Sequence, residues 1–282
     1  MTKISATICL GTEMKSGPFL FSGDFEESCQ QAAAAGFSVV DLIIPSSDSV
    51  SSTVIERALA KYTLSLGAVG TGAGFVCKGL SLTSPDSIVR EEAIKYVIGI
   101  IDFAERFGAS VIIGSMQGQI DKNTDRDLAY SWLRESIGYL AEKAKKSKIV
   151  LLFEPLNRYE SNVINRLEDA IEVLNLRNFS NLKLLADTFH MNIEEQKIGE
   201  AICKAGDAIA YIHLADSNRC AAGFGHIDFE DVAQSLEMIN YDGFISAEIF
   251  PYPDAQCAAM QTIETFNKFF VKGLSYENSG RQ

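Results

Sequence analysis

The 282-residue chain lacks several features by which whole classes of protein are recognised. It has no apolar run of the ~18–20 residues that are needed to cross a bilayer. The apolar part of its first segment, MTKISATICLG, is too short for a signal peptide. Its six cysteines are scattered and form no C-x-x-C pair, a pattern that fits reduced thiols inside a cell. We therefore expect a soluble, cytoplasmic protein.

An excess of positive charge is also missing. The formal net charge is −12. Proteins that bind nucleic acids usually carry a basic face, and anionic membranes attract basic segments. We therefore expect neither a nucleic-acid partner nor a membrane partner. A protein with a negative net charge can still have a local basic pocket that binds an anionic substrate.

What the chain does have is a repeated alternation of short β-branched runs and amphipathic stretches, with no Pro/Gly/Ser-rich linker to divide it. Parallel strands joined by crossover helices produce such an alternation. Eight units in this length predict a closed (β/α)8 barrel, an α/β TIM barrel that forms one domain over residues 1–282. An open doubly wound sheet is the alternative, but no G-x-G-x-x-G follows the first run. The predicted strands span 4–10, 38–44, 63–69, 110–115, 149–154, 182–187, 208–214 and 243–249.

The last four predicted strands each end in an ionisable residue. In a (β/α)8 barrel the active site lies at the carboxyl ends of the strands. Because strand side chains alternate between faces, parity allows all four residues to point into the barrel mouth. One carboxylate at a strand end commonly marks the start of a loop, whereas four ionisable residues at the ends of adjacent strands predict a single site. These residues are Glu154, Asp187, His213 and Glu248.

Three carboxylates and one imidazole at one mouth would repel each other if nothing neutralised them. A divalent cation cancels most of that charge. Oxygen-rich ligation with a single nitrogen favours Mn²⁺ or Mg²⁺, with Co²⁺ or Zn²⁺ as alternatives. Such an ion can act as a Lewis acid on the carbonyl of a sugar or a hydroxy-ketone.

The motifs EPLNRYE, DTFHMN, HLADSNR with GHIDF, and the glutamate of FISAEI resemble the xylose-isomerase-like TIM-barrel superfamily of sugar isomerases and epimerases. Within it they are most similar to the D-tagatose 3-epimerase and D-psicose (D-allulose) 3-epimerase branch. The resemblance covers about residues 149–250. It implies a metal-dependent ketose 3-epimerase with Mn²⁺ or a similar ion, a ketose substrate and a homodimer or homotetramer.

The resemblance also implies roles for individual residues. Glu154, Asp187, His213 and Glu248 match the metal ligands, and Glu160, His190 and Arg219 match residues that hold substrate oxygens. Glu154 and Glu248 match paired acid/base carboxylates. One would remove the C3 proton, and the other would return a proton to the opposite face through a metal-bound cis-enediolate.

Other reactions share this barrel mouth and stay open. A 1,2-isomerase of a small hydroxy-carbonyl, such as hydroxypyruvate isomerase, would use the same metal site, and so would a polyol dehydratase. An abasic-site endonuclease would need more than this chain's three histidines, together with a basic DNA face. A non-catalytic sugar-binding barrel would be expected to lose a ligand, and the chain keeps all four candidates.

Two loop regions are less informative. The segments FLF (19–21) and FVC (75–77) either form an apolar wall at the far end of a sugar or simply pack their loops. The loop after the seventh strand departs from the family pattern, because Cys220, Ala221, Ala222 and Phe224 stand where proline or polar residues are expected.

Overall fold

The computed structural model describes residues 2–11, 14 and 16–271, and within these ranges the apolar runs form parallel strands that close into a ring. Eight of the strands overlap the eight predicted runs. A two-residue ninth strand, which the sequence did not indicate, pairs with the first strand outside the ring. The strands are β1 (Lys3–Cys9), β2 (Phe21–Ser22), β3 (Val39–Ile43), β4 (Ser65–Gly70), β5 (Ser110–Ile113), β6 (Leu151–Phe153), β7 (Leu182–Asp187), β8 (Ile209–His213) and β9 (Phe244–Ala247).

Apart from β2, the strands pair in chain order, and β9 pairs back onto β1. The closing register places Lys3 opposite Phe244 and Ala6 opposite Ala247. Every pairing is parallel, as a chain of strands joined by helical crossovers requires. The predicted single-domain (β/α)8 barrel is confirmed.

Helices cover the outside of the ring. Several of them begin at an aspartate whose carboxylate accepts a backbone N–H of the first turn, among them those capped by Asp24, Asp125 and Asp254. No helix in the described ranges is both long enough and apolar enough to cross a membrane. The helices are α1 (Phe25–Ala35), α2 (Ser52–Tyr62), α3 (Gly72–Lys78), α4 (Ser87–Glu105), α5 (Arg126–Lys146), α6 (Leu167–Val173), α7 (Thr188–Glu194), α8 (Ile198–Ala205), α9 (Phe229–Met238) and α10 (Ala255–Phe269).

The core has two main parts, because each strand presents alternate side chains to the helices and to the barrel interior. The larger part fills the space between strands and helices. The smaller part consists of Ala68, Ile112, Leu152, Leu185 and Tyr211, which are buried together as a separate inner cluster. This inner cluster fills the barrel interior beneath its mouth.

The positions of the inner cluster also show which side chains point into the barrel mouth. Residues two positions beyond its members share their face and lie nearer the carboxyl ends of the strands. Tyr211 is thus followed on the same face by His213, the last residue of β8. Leu152 and Leu185 are followed in the same way by the carboxylates of Glu154, directly after β6, and Asp187, at the end of β7. The barrel geometry therefore directs these polar side chains into the mouth.

Candidate active site

The four strand-end residues meet in one cluster at the barrel mouth. Their ligand-type atoms all lie within 4.8 Å of one another, and Glu154, Asp187 and His213 are buried. The imidazole is central. Its Nδ1 atom lies 3.1 Å from Oε1 of Glu154, 3.4 Å from Oδ2 of Asp187 and 3.4 Å from Oε2 of Glu248. The sequence parity argument thus brings all four side chains to one point.

The donor set of this cluster fits a divalent cation. A single imidazole nitrogen carries at most one proton, so Nδ1 of His213 can donate to only one of the three carboxylates that surround it. The other ring nitrogen, Nε2, is buried without a hydrogen-bond partner among the described residues, so the polar contacts of the ring are all on the Nδ1 side. Three carboxylate oxygens and one nitrogen match the ligands of Mn²⁺ or Mg²⁺.

Burial and the charges of neighbouring residues strongly shift the pKa values within this cluster. Burial raises the pKa of Glu154 above its ordinary value, although His213 opposes this. Burial also disfavours the ionised forms of Asp187 and Glu248, yet neighbouring cations hold both pKa values below the ordinary range. Burial alone would lower the pKa of His213, but the carboxylates of Glu248 and Glu154 raise it well above the usual value. The pKa of each of these four residues therefore depends on the charges of its neighbours in the cluster.

Asp187 uses its two oxygens differently. Oδ1 accepts the backbone N–H groups of Phe189, at 2.8 Å, and of His190, at 3.3 Å, and so caps helix α7. Oδ2 faces His213 in the cluster. His190 lies in the first turn of α7, a helix that the sequence did not indicate, because the capping aspartate starts the helix directly at the end of β7.

Arg219 supplies the positive charge nearest to the cluster. Its guanidinium is buried, and its two terminal nitrogens donate to Oδ2 of Asp187 and to Oε2 of Glu248. The guanidinium also lies 4.9 Å from the ring centroid of Phe189. A fork that spans two carboxylates in this way requires arginine geometry. Arg219 therefore orients two of the four ligand candidates.

A cavity of about 460 Å³ opens above the cluster. It is lined by Glu154 and Glu248 and by all three predicted substrate contacts, Glu160, His190 and Arg219. Of the two segments 19–21 and 75–77, only Phe19 and Val76 line the cavity. The cavity lining also includes Met14, Pro18, Ile43, Leu156, Phe189 and Phe250. A mostly apolar cleft with a few convergent polar groups is typical of a small-molecule site.

Comparison with known proteins is consistent with this geometry. The model of the xylose isomerase-like TIM barrel family matches residues 29–269. The chain belongs to the xylose isomerase-like TIM barrel family. A D-psicose 3-epimerase of Enterocloster bolteae is 31% identical over 238 residues, which cover 80% of this chain and 77% of that protein. A ketose 3-epimerase of Arthrobacter globiformis is 30% identical over 227 residues, which cover 79% and 76% of the two chains.

The solved structures agree on the fold. A D-allulose 3-epimerase of Methylomonas sp. in complex with D-allulose superposes with a TM-score of 0.82 at 21% identity, over 95% of this chain and 97% of that one. The relatives of this xylose isomerase-like barrel are thus named as epimerases, which are enzymes of the isomerase class. The expectation of an isomerase-class enzyme is confirmed.

Asn157 is a site residue of this family member that the sequence did not reveal. It is buried, and its side-chain amide lies 2.8 Å from both Oε1 of Glu160 and Nδ1 of His190. It therefore connects two residues that were predicted to hold substrate. The only sequence signal was its position inside the EPLNRYE motif, between Glu154 and Glu160.

Asp216 is a second residue that the sequence did not reveal. Its buried carboxylate accepts the backbone N–H groups of Ser217 (2.7 Å), Gly223 (2.7 Å) and Ile227 (3.1 Å). Its own backbone accepts from Arg219, which has a φ of +62°, a conformation that costs energy in a residue with a side chain. Asp216 thus holds the loop after β8, with its small residues Ala221 and Ala222 fully buried, in the shape that presents Arg219.

Proposed function

We propose that this chain is a divalent-metal-dependent ketose 3-epimerase. The observation that carries the proposal is the pair of carboxylates Glu154 and Glu248, which directly follow β6 and β9, join one cluster with His213 and line the same cavity. Inversion at a carbon next to a carbonyl needs one group to remove the proton and a second group to return one on the other face. The similarity to D-psicose and ketose 3-epimerases supports the same reaction.

Glu154, Asp187, His213 and Glu248 would hold the metal ion. When bound, the ion would supply Lewis-acid polarisation of the substrate carbonyl, which makes the neighbouring C–H more acidic. Glu154 directs Oε1 toward His213, whereas Oε2 faces the backbone of Gly114 at the cavity wall. One carboxylate can therefore serve the cluster with one oxygen and receive a proton with the other.

The remaining polar residues orient the sugar. His190 and Arg219 line the cavity beside the cluster, where hydrogen-bond donors can hold substrate oxygens. Glu160 lines it as well, and its carboxylate is half exposed. A ketose whose C2 and C3 oxygens face the cluster would place its far end against the apolar wall that includes Phe19 and Val76.

Other expectations stay predictions. They are Mn²⁺ as the preferred ion, assembly as a homodimer or homotetramer, a cytoplasmic location and the absence of a nucleic-acid partner. The assignment of residues 1–282 to one barrel domain is also a prediction, since the family model matches residues 29–269.

The proposal is tested by removing metal with a chelator and assaying a panel of free ketoses before and after adding Mn²⁺, Mg²⁺ or Co²⁺. Activity should vanish and return, and the product of a ketose should be its C3 epimer. His213→Gln should abolish the response to metal. His226→Gln is the matched control, because His226 is exposed and bonds Ser217 rather than the cluster. An aldose product or metal-independent turnover would contradict the proposal.

A further inference from the structure

The ring nitrogen Nδ1 of His190 is surrounded by hydrogen-bond donors. The backbone N–H of Asn157 points at it from 3.3 Å, and a backbone N–H can only donate. Nδ1 must therefore present a lone pair to this group. The buried position of His190 makes the contact consequential, because an N–H facing another N–H in the interior would leave both unsatisfied.

The side chain of Asn157 makes the same demand independently. Its Oδ1 accepts the backbone N–H of Tyr159 at 3.0 Å, and its Nδ2 donates to Oε1 of Glu160 at 2.8 Å. These two partners fix the orientation of the amide, since exchanging its oxygen and nitrogen would oppose donor to donor and acceptor to acceptor. The second hydrogen of Nδ2 then points at Nδ1 of His190, 2.8 Å away.

We infer that Asn157 is a positioning residue that holds His190 as the neutral tautomer with its proton on Nε2, so that His190 is a hydrogen-bond donor to the substrate and not a third base. Nε2 lies 3.9 Å from Oδ2 of Asp187, which is too far for a hydrogen bond. His190 lines the cavity, so its N–H is available to a molecule bound there.

The assigned tautomer suits the chemistry of a ketose. The oxygens next to the reacting carbon gain negative charge as the proton leaves, and a donor already in place stabilises that charge. A nitrogen with an exposed lone pair at the same position would instead repel it. The tautomer follows from the contacts alone, whereas the role toward substrate rests on the proposed function.

Glu160 contacts His190 mainly indirectly, through Asn157. Its Oε1 accepts from Nδ2 of Asn157 and lies 3.9 Å from Nδ1 of His190, so it acts on the histidine chiefly through the asparagine. The chain Glu160–Asn157–His190 thus passes from the half-exposed rim of the cavity to the buried donor. All three come from segments that follow β6 and β7.

The tautomer can be read directly by NMR, because the chain has only three histidines. Protein labelled with ¹⁵N-histidine and loaded with diamagnetic Mg²⁺ gives three imidazole systems in long-range ¹H–¹⁵N spectra at slightly alkaline pH. His190→Gln and His226→Gln assign them. The nitrogen that couples to both ring C–H protons is Nε2, and its shift shows whether it is protonated. His190 should be protonated at Nε2 only, and a proton on Nδ1, or on both nitrogens, would overturn the inference.

Asn157→Asp tests the cause. An aspartate side chain accepts where Nδ2 donated at 2.8 Å, and this contact outweighs the longer contact of 3.3 Å from the backbone N–H, so the proton of His190 should move to Nδ1. The kcat should then fall about 10²-fold with a smaller change in KM. Asn162→Asp is the matched control, because it makes the same change in the same loop, where the side chain bonds only the backbone of Ile120. The control should keep the wild-type tautomer and kcat.

These experiments distinguish the tautomer of His190 from its role toward the substrate. An unaltered tautomer in folded Asn157→Asp would show that the backbone N–H suffices and would refute the positioning role of the side chain. A flipped tautomer with unchanged kcat would refute the donor role toward substrate. The wild-type spectrum decides the tautomer even if the variant does not fold. It also decides it if no ketose is epimerised, so that failure of the proposed reaction is distinguished from failure of this inference.

Discussion

Nδ1 of His213 lies 3.1 Å from Oε1 of Glu154, and both side chains are buried at the mouth of the barrel. Two further carboxylates face the same nitrogen from 3.4 Å. In the proposed function these four residues share a cation, and the carboxylates of Glu154 and Glu248, which both line the cavity, transfer the proton.

Replacing either cavity carboxylate by its amide should abolish turnover. Glu154→Gln and Glu248→Gln keep the side-chain volume but remove the base, so kcat should fall by about 10²–10⁴-fold in each. Steady-state kinetics measure the loss, and circular dichroism confirms the fold. Glu92→Gln, at an exposed position on α4, should behave as wild type. Near-normal turnover in either cavity variant would exclude the two-base mechanism.

Gly114 is required because Glu154 approaches its backbone. A Cβ built on Gly114 would lie 2.6 Å from Oε2 of Glu154, the flexible end of a side chain that can move away. Gly114→Ala should therefore fold normally but lower kcat about tenfold or more, by displacing the carboxylate from its productive position.

Gly138→Ala is the control for this substitution. It makes the same change within α5, where a Cβ would lie an ordinary 3.7 Å from Phe179. It should leave kcat unchanged and raise the free energy of unfolding by about 0.5–1 kcal/mol, because alanine favours helix. Equal kcat values for Gly114→Ala and the control would show that Glu154 does not need its observed position.

Arg219→Lys should impair the site although the charge is kept. A lysine cannot bond Asp187 and Glu248 at once, so both ligand candidates lose orientation. Metal affinity and kcat/KM should each fall about tenfold or more, as measured by calorimetric titration and kinetics. Arg158→Lys is the control, because Arg158 also forks onto a carboxylate, that of Glu194, but is exposed outside the cavity. Indistinguishable behaviour of the two variants would contradict this role.

Asp216→Asn should destabilise the chain in a pH-dependent way. Burial disfavours the charged form of Asp216, but the backbone N–H groups it accepts hold its pKa below the ordinary value. A carboxyl group whose pKa is lower in the folded state contributes stability above its unfolded pKa of about 3.9 and loses it as the pH falls through the folded pKa.

The destabilisation should therefore be about 1.5–3 kcal/mol at neutral pH and shrink below about pH 4. Chemical unfolding of wild type and variant across this range measures it. A difference that stays constant with pH would show that the ionised carboxylate is not what stabilises the loop.

Much of the fold and the four-residue cluster could be predicted from the sequence because both follow from local rules. The period of the apolar runs indicates parallel strands, and the parity of Leu152 with Glu154, or of Tyr211 with His213, decides which side chains reach the mouth. A closed barrel then brings four strand ends together, so no further information is needed to gather the ligand candidates.

The supporting contacts could not be predicted, since they depend on distances between segments that the chain brings together only on folding. The sequence shows Asn157 as one polar residue of a loop, and only the structure places it against His190 on another segment. The requirement for Gly114 arises in the same way, from the approach of a side chain on the next strand. The start of α7 at Asp187 was missed because an aspartate can both end a strand and cap a helix.

In the proposed reaction the protein inverts C3 of a ketose by proton transfer with Glu154 and Glu248. The most direct measurement is the reaction of the metal-loaded enzyme with its best ketose in D₂O, with the position of deuterium in the recovered epimers read by NMR. We predict deuterium at C3 of an epimerised ketose, and no C3-inverted product with Glu154→Gln or Glu248→Gln. Deuterium at C1 or C2 together with an aldose product would contradict it.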